Sequence, residues 1–349
     1  MSRLTLPVPR GFRLHKTVCS YGYFLLAPNR WQPVERVLIR PLLLESGGAV
    51  RVRVSQPAVS KPLRIDTRCK LSRAEAASIK AAVGRMLRLH EDLTGWRKVR
   101  TEEARRRGFG RMFRSPSLFE DMVKTITGCN VAWRNTISMN RLLCEHYGEP
   151  TRDDALGGEN PEPHSDNAFP TPTRLAGATP QELNRLTRVG YRAERIIRLA
   201  RDFAEGRLDP AWFEDPARST DELHDAIASL HGFGPYATAN VLMLLGRYDR
   251  LAIDTETNRH FEQVHGLPRG DDPQKNHDRI ERHYRRFAPY EFIAYWFELW
   301  REYEKRFSDA RNWGREEHAP NFTAFTMQRG GTDQARQARG KGAGAKNRA

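Results

Sequence analysis

The stretch from Asp221 to Phe261 constrains this chain more than any other. Leu223, Ile227 and Leu230 recur at helical spacing, which gives a first helix one apolar face. His231-Gly232-Phe233-Gly234-Pro235 cannot continue that helix, because two glycines and a proline require a turn with unusual backbone angles. Ala237 to Leu245 is then almost wholly apolar, as expected of a second helix buried on most sides. Asp254, 18 residues beyond Tyr236, opens a third helix after the apolar Leu251-Ala252-Ile253. Glycines without side chains let an anion approach the backbone. The N–H groups of Gly232, Gly234 and the following helix start can then grip a phosphate without reading any base sequence. A carboxylate at Asp254 would stand close to whatever this turn holds.

Charge narrows the partner. The 349 residues carry a net charge of +15 and a pI near 10.0, which fits a polyanion such as nucleic acid better than an acidic membrane surface. Gln328 to Ala349 holds six basic residues against Asp333, so five of the fifteen net charges belong to a low-complexity tail expected to be disordered. The other ten belong to the body. MSRLTLPVPRGFRLHK has no apolar core of about 7–15 residues, so no signal peptide is expected. No run reaches the ~20 apolar residues of a membrane span. A soluble, cytoplasmic monomer is the expectation, associated with the nucleoid if the cell is bacterial.

Cys19, Cys69, Cys129 and Cys144 are far apart and form no C-x-x-C pair, so neither zinc nor an iron–sulfur cluster is expected. The histidines are scattered, with His277 and His283 reading as surface. No Gly-rich nucleotide loop occurs. Neither ATP, a catalytic metal nor another cofactor is implied.

The fold class expected is α+β: a β-rich antiparallel N-terminal domain ending in a helix (residues 1–95), a helical domain (96–327) and the basic tail (328–349). Tyr23–Leu26, Val34–Leu44, Ala49–Val54 and Leu63–Thr67 are short apolar or alternating runs of strand type. Val50 to Val54 alternates strictly, with one face buried and the other basic. Leu71 to His90 reads as a helix opened by Ser72 with Glu75 three residues on, a capping box. The arginine-rich Val99–Arg114, taken alone, reads as a solvated linker leading into the next helix. A helix with a stripe of Leu118, Phe119, Met122, Val123 and Ile126 follows. After Gly128-Cys129-Asn130 a second runs from Trp133 to Tyr147, with Trp133, Ile137, Cys144 and Tyr147 on one face. Residues from about 150 to 173 read as a mobile polar loop insertion. Ile196, Ile197, Ala200 and Phe203 mark another helix, and the aromatic run Tyr290–Tyr303 reads as core closing a bundle.

Leu230-His231-Gly232-Phe233-Gly234-Pro235-Tyr236-Ala237-Thr238-Ala239, followed by Ile253-Asp254-Thr255, resembles the helix-hairpin-helix GPD superfamily of DNA glycosylases. The usual pattern there is L-P-G-[VI]-G-x-[KSWY]-[TV]-A and then a catalytic aspartate; His231 stands here in place of the usual proline. The N-terminal strands resemble those of 8-oxoguanine glycosylase and 3-methyladenine glycosylase II. Val189-Gly190-Tyr191-Arg192-Ala193 resembles a family L-G-[YF]-R-A helix. No cysteine follows Cys144, which separates the chain from the branch resembling endonuclease III with its four-cysteine cluster.

The resemblance implies a base-excision-repair enzyme acting on double-stranded DNA that contains a damaged base. Such an enzyme extrudes the nucleotide and breaks the base–sugar bond through a cationic sugar. Asp254 is then the catalytic carboxylate, stabilising that charge and orienting water. It also reads as a helix N-cap, which would hold it rigidly and lower its pKa. His231, Gly232, Gly234 and Tyr236 would bind the DNA backbone. Asn130 matches the first asparagine of an S-x-N-N-N turn that enters the gap left by the base, or is a helix cap. Trp133, Tyr191 and Tyr236 could form a stacking wall. Relatives that also cut the strand carry a lysine where this chain has Tyr236, and no lysine occurs between Lys124 and Lys275, so a monofunctional enzyme is expected. The rivals are a non-catalytic DNA-binding or damage-sensing module and a DNA lyase or endonuclease.

Overall fold

The computed structural model describes residues 1–152, 167–266, 270 and 272–315. Five strands form one antiparallel sheet: β1 Ser2–Leu6, β2 Arg30–Gln32, β3 Val37–Leu43, β4 Ala49–Ser55 and β5 Leu63–Thr67, in the order β1-β5-β4-β3-β2. The alternation in β4 does what its pattern dictates: Val50, Val52 and Val54 are buried while Arg51 and Arg53 face outward. Val52 stands opposite Arg40 on one side and Thr67 on the other. Two expectations change. Ser2–Leu6 adds an edge strand along β5. The Tyr23–Leu26 run is not a strand: Gly22–Leu25 is a turn of 3-10 helix with Tyr23, Phe24 and Leu25 buried. A short run that is apolar on every side carries no period by which to tell the two apart.

Fifteen α-helices are described: α1 Leu14–Val18, α2 Arg73–Met86, α3 Thr94–Val99, α4 Glu102–Arg107, α5 Leu118–Gly128, α6 Trp133–Tyr147, α7 Pro172–Ala176, α8 Pro180–Thr187, α9 Arg192–Ala204, α10 Pro210–Glu214, α11 Thr220–Ala228, α12 Pro235–Leu245, α13 Thr255–His265, α14 Pro273–Tyr284 and α15 Glu291–Phe307. Caps explain several starts. Ser72 Oγ accepts from the Glu75 N–H at 3.2 Å while Glu75 Oε2 accepts from the Ser72 N–H at 2.9 Å, and Ser219 with Glu222 repeats the device at α11. The arginine-rich segment folds in part as α4, whose Arg105 and Arg107 pair with Glu102 and Glu103. On α6 the buried face is Thr136, Met139, Asn140 and Leu143, and Trp133, Ile137 and Tyr147 are only half-buried, a rotation from the expected stripe.

Of the expected loop insertion, 153–166 lies outside the described residues, as does the basic tail. The last part of that stretch is not loop-like. Ala168 and Phe169 are buried, and α7 begins at Pro172.

Two hydrophobic cores form. One joins the sheet (Val52, Ile65) to the C-terminal helices (Tyr284, Phe292, Trp300); the other gathers residues of α5 to α12. Helix α12 lies between them, giving Met243 and Leu244 to the first and Val241 and Leu242 to the second. Its near-continuous apolar sequence follows from that position, each buried Leu or Met contributing about 1.5–3 kcal/mol. Placed so, α12 holds its N-terminus, and the glycine turn before it, at the seam of the two cores.

Candidate active site and nucleic-acid interface

The two glycines of the turn act differently. Gly232 has φ +93°, a left-handed conformation, and a Cβ there would stand 2.5 Å from Arg195 Cδ. Gly234 has φ −80° and ψ −177°, which any residue adopts; it caps α12, is exposed, and has no atom near where a Cβ would lie. Its smallness leaves the backbone open to a partner. Pro235 occupies the first helical position, where its missing N–H costs nothing, and the N–H groups that follow face the helix entrance. His231 is exposed beside them.

A cleft of about 1270 Å³ opens at this seam. It is lined by His231, Gly232, Gly234, Tyr236, Asp254, Asn130 and Trp133 from the residues anticipated above, and by Tyr21, Tyr23, Tyr295 and Trp296 in addition. Tyr191 is not among the lining residues. It is 56% exposed, with the Arg192 and Arg195 guanidiniums 4.5 and 4.9 Å from its ring centroid. Asn130 is exposed at the end of α5 with φ +51°, the left-handed conformation in which asparagine terminates helices, and its carbonyl accepts from Arg192 Nη2 at 3.2 Å. Trp133 lies against Gly22, where a Cβ would meet its Cζ2 at 3.0 Å, and its indole N–H has no hydrogen-bond partner.

Asp254 is the N-cap of α13. Its Oδ1 accepts from the Thr257 N–H at 2.8 Å and the Thr257 hydroxyl at 2.9 Å, with Tyr295 Oη 2.9 Å from the same Thr257 oxygen. The cap expected from sequence is therefore present, but the expected consequence is reversed: the carboxyl is held above the ordinary aspartate value. Burial in the cleft penalises the charge by more than the Thr257 hydrogen bonds favour it. A half-buried, rigid carboxylate of this kind acts on a nearby cation more strongly than one in water would.

Tyr236 lines the same wall; burial, and then the Asp254 charge, push its hydroxyl well above the ordinary tyrosine value. One lysine unforeseen by sequence reasoning reaches the depth of the cleft. Lys124 Nζ lies 2.6 Å from Glu120 Oε1 with no exposed side-chain surface, and Glu120 also binds Arg40 at 2.5 Å. Burial pushes the Lys124 amine below its usual value. Pairing with Glu120 anchors it behind the wall.

Another part of the lining is aromatic. Tyr21 lies 4.9 Å from Trp296, which stacks on Phe292 at 5.9 Å and on Trp300 at 5.6 Å. The indoles of Trp296 and Trp300 donate to the carbonyls of Ser20 and Cys19, each at 2.9 Å. Asn240 on α12 accepts from the Tyr21 hydroxyl at 2.6 Å and donates to Thr125 Oγ1 at 2.9 Å. The aromatics of α15, expected to be core alone, are core and also cleft wall. Sequence reasoning missed Tyr21, Tyr23 and Asn240; the only signal was a glycine between two tyrosines, where a neighbouring ring packs against the backbone.

Comparison with known proteins places this geometry. Residues 123–286 match the profile described as HhH-GPD superfamily base excision DNA repair protein. Comparison with curated protein sequences gave no match. Among solved structures, the 3-methyladenine DNA-glycosylase from Archaeoglobus fulgidus is similar with a TM-score of 0.62 at 17% identity, over 88% of this chain and 99% of that one. The apo-form of the Clostridium acetobutylicum 8-oxoguanine glycosylase/lyase is similar with a TM-score of 0.59 at 16% identity, over 86% and 96%. At such identities the likeness is one of fold. The glycine turn, α12 and Asp254 all lie inside the segment that matches the HhH-GPD superfamily of base excision DNA repair proteins.

Proposed function

We propose that this protein is a monofunctional DNA glycosylase. It grips duplex DNA with the Gly232–Gly234 turn, receives an extruded damaged base in the cleft, and hydrolyses the base–sugar bond with Asp254. The observation that carries this reading is the sharing of one cleft by Asp254, the phosphate-gripping turn and an aromatic wall. As the bond breaks, positive charge grows on the sugar, and a rigid, desolvated carboxylate stabilises it. Bond cleavage with water leaves an abasic site. A Schiff base needs a free amine, which Tyr236 lacks and which Lys124, paired with Glu120, does not present.

The aromatic wall favours a cationic base. Rings at this spacing attract a positive charge by about 0.5–2 kcal/mol per face, so alkylated purines bearing a formal charge are the substrate class the cleft suits best. The protein acts as a monomer on double-stranded DNA containing such a base.

The test is base release from duplex oligonucleotides carrying alkylated purines, 8-oxoguanine, uracil or hypoxanthine, with wild type and Asp254→Asn compared before and after hot alkali. Strand cleavage only after alkali, absent from the mutant and strongest for the alkylated purine, is the expected result. Cleavage without alkali, or trapping of the protein on DNA by borohydride, would replace this reading with a lyase. Tight binding with no release from any lesion would leave a damage sensor.

A further inference from the structure

Further along the helix that begins at Asp254, three polar groups converge that the glycosylase reading does not use. His260, on α13, is fully buried, and neither of its ring nitrogens has a hydrogen-bond partner. Its Nε2 stands 3.6 Å from Glu298 Oε2 on α15, and His265 Nε2, at the end of α13, stands 3.1 Å from the same oxygen. The three ligand atoms all lie within 4.8 Å of one another.

An imidazole buried with both nitrogens unpaired is costly, and groups of that kind call for a partner. The spacing identifies its chemistry. Zinc binds imidazole and carboxylate at about 2.0–2.2 Å in a tetrahedron, which sets neighbouring donor atoms about 3.3–3.6 Å apart. The 3.1 and 3.6 Å separations lie close to that edge length. The donors are imidazole and carboxylate, the set that suits zinc and its neighbours in the transition series. Glu298 is also braced as ligating carboxylates are: the Tyr284 hydroxyl of α14 donates to its Oε2 at 2.5 Å. On the outer side the His283 ring lies 4.1 Å from that of His265, and Arg286 Nη2 is 3.4 Å from His283 Nε2. His283, read from sequence as surface, is half-buried in this cluster.

We propose that His260, His265 and Glu298 form a structural site for a divalent transition metal of the zinc type, fastening α13 to α15. The fourth position opens toward solvent, where the side chains of His265 and Glu298 are 17% and 30% exposed and a water can complete the tetrahedron. The ion would hold in place the helix whose first turn carries Asp254. It takes no part in base release.

The test uses the untagged full-length chain, stripped with EDTA and titrated with zinc chloride or cobalt chloride. Expected are one equivalent bound with micromolar affinity or tighter, the visible absorption of tetrahedral cobalt, and a rise in Tm of roughly 5 °C at saturation. His265→Asn and Glu298→Gln, both at half-exposed positions that folding tolerates better than His260, should each weaken binding at least tenfold and abolish the rise. Asp254→Asn should bind the metal as wild type does, whatever its activity, so failure here and failure of the glycosylase reading are distinguishable. No rise and no cobalt absorption in wild type, or the same binding in both ligand variants, would overturn the proposal.

Discussion

The two walls of the cleft are built in opposite ways. The wall with Gly232, Tyr236 and Asp254 is local: the bonds that hold Asp254 reach three residues along, to Thr257, and the turn is set by glycine and proline between two consecutive helices. The aromatic wall is assembled from the two ends of the chain. Trp296 reaches Ser20 across 276 positions, and Trp300 reaches Cys19 across 281. On the proposed reading, the chemistry of bond cleavage would therefore sit on short-range geometry, which survives changes elsewhere. Base selection would sit on long-range packing, where a change in either end alters the pocket. Mutations in the first wall should abolish a step, whereas mutations in the second should re-rank substrates.

The sharpest way to break this contrast is Asp254→Asn. Base release in single turnover should fall by about 10²–10³-fold or more, as for loss of a group that stabilises transition-state charge, while DNA affinity measured by fluorescence anisotropy stays close to wild type. Equal loss in both would dissolve the division of labour. Next comes the turn. Gly232→Val forces a β-branched residue to φ +93° against Arg195 and should weaken DNA binding about tenfold or more and lower Tm. Gly234→Ala, at φ −80° in open space, should change stability by less than about 0.5 kcal/mol.

In the aromatic wall, Asn240→Leu leaves the Tyr21 hydroxyl without its acceptor and should cost about 1–3 kcal/mol by denaturant unfolding. The ratio of release rates among lesions should shift while the response to alkali stays the same. The smallest effect is on pH. Because the folded Asp254 carboxyl lies above its unfolded value, folding favours its protonated form; that contribution is present below the unfolded pKa and lost as pH rises through the folded one. Asp254→Asn should thus gain in Tm over wild type more at pH 7 than at pH 4. In wild type kcat/KM should fall as pH drops through a value above that of an ordinary aspartate.

Legibility followed the range of the interactions. The bounds of α6 and the capping box of α2 were readable because periodicity and caps act within a turn or two. So was the N-cap role of Asp254, but not the direction of its pKa shift, because burial is a property of the assembled cleft. Tyr23 reads as strand and folds as 3-10 helix for the same reason: no local period distinguishes the two. Tyr191 reads as pocket and lies outside it, since a motif fixes a helix start and not which side of it faces the cleft.

The sequence by itself determined the glycine turn, the buried α12 after it, the aspartate that opens α13 and the basic body that suits DNA. These depend on backbone freedom, helical period and net charge, all carried by neighbouring residues. Only the tertiary structure decided that Tyr21 and Trp296 would share one cleft with Asp254, that Lys124 would be paired with Glu120, and that His260, His265 and Glu298 would meet. Those juxtapositions depend on how two cores close around α12, a packing outcome that no local pattern encodes.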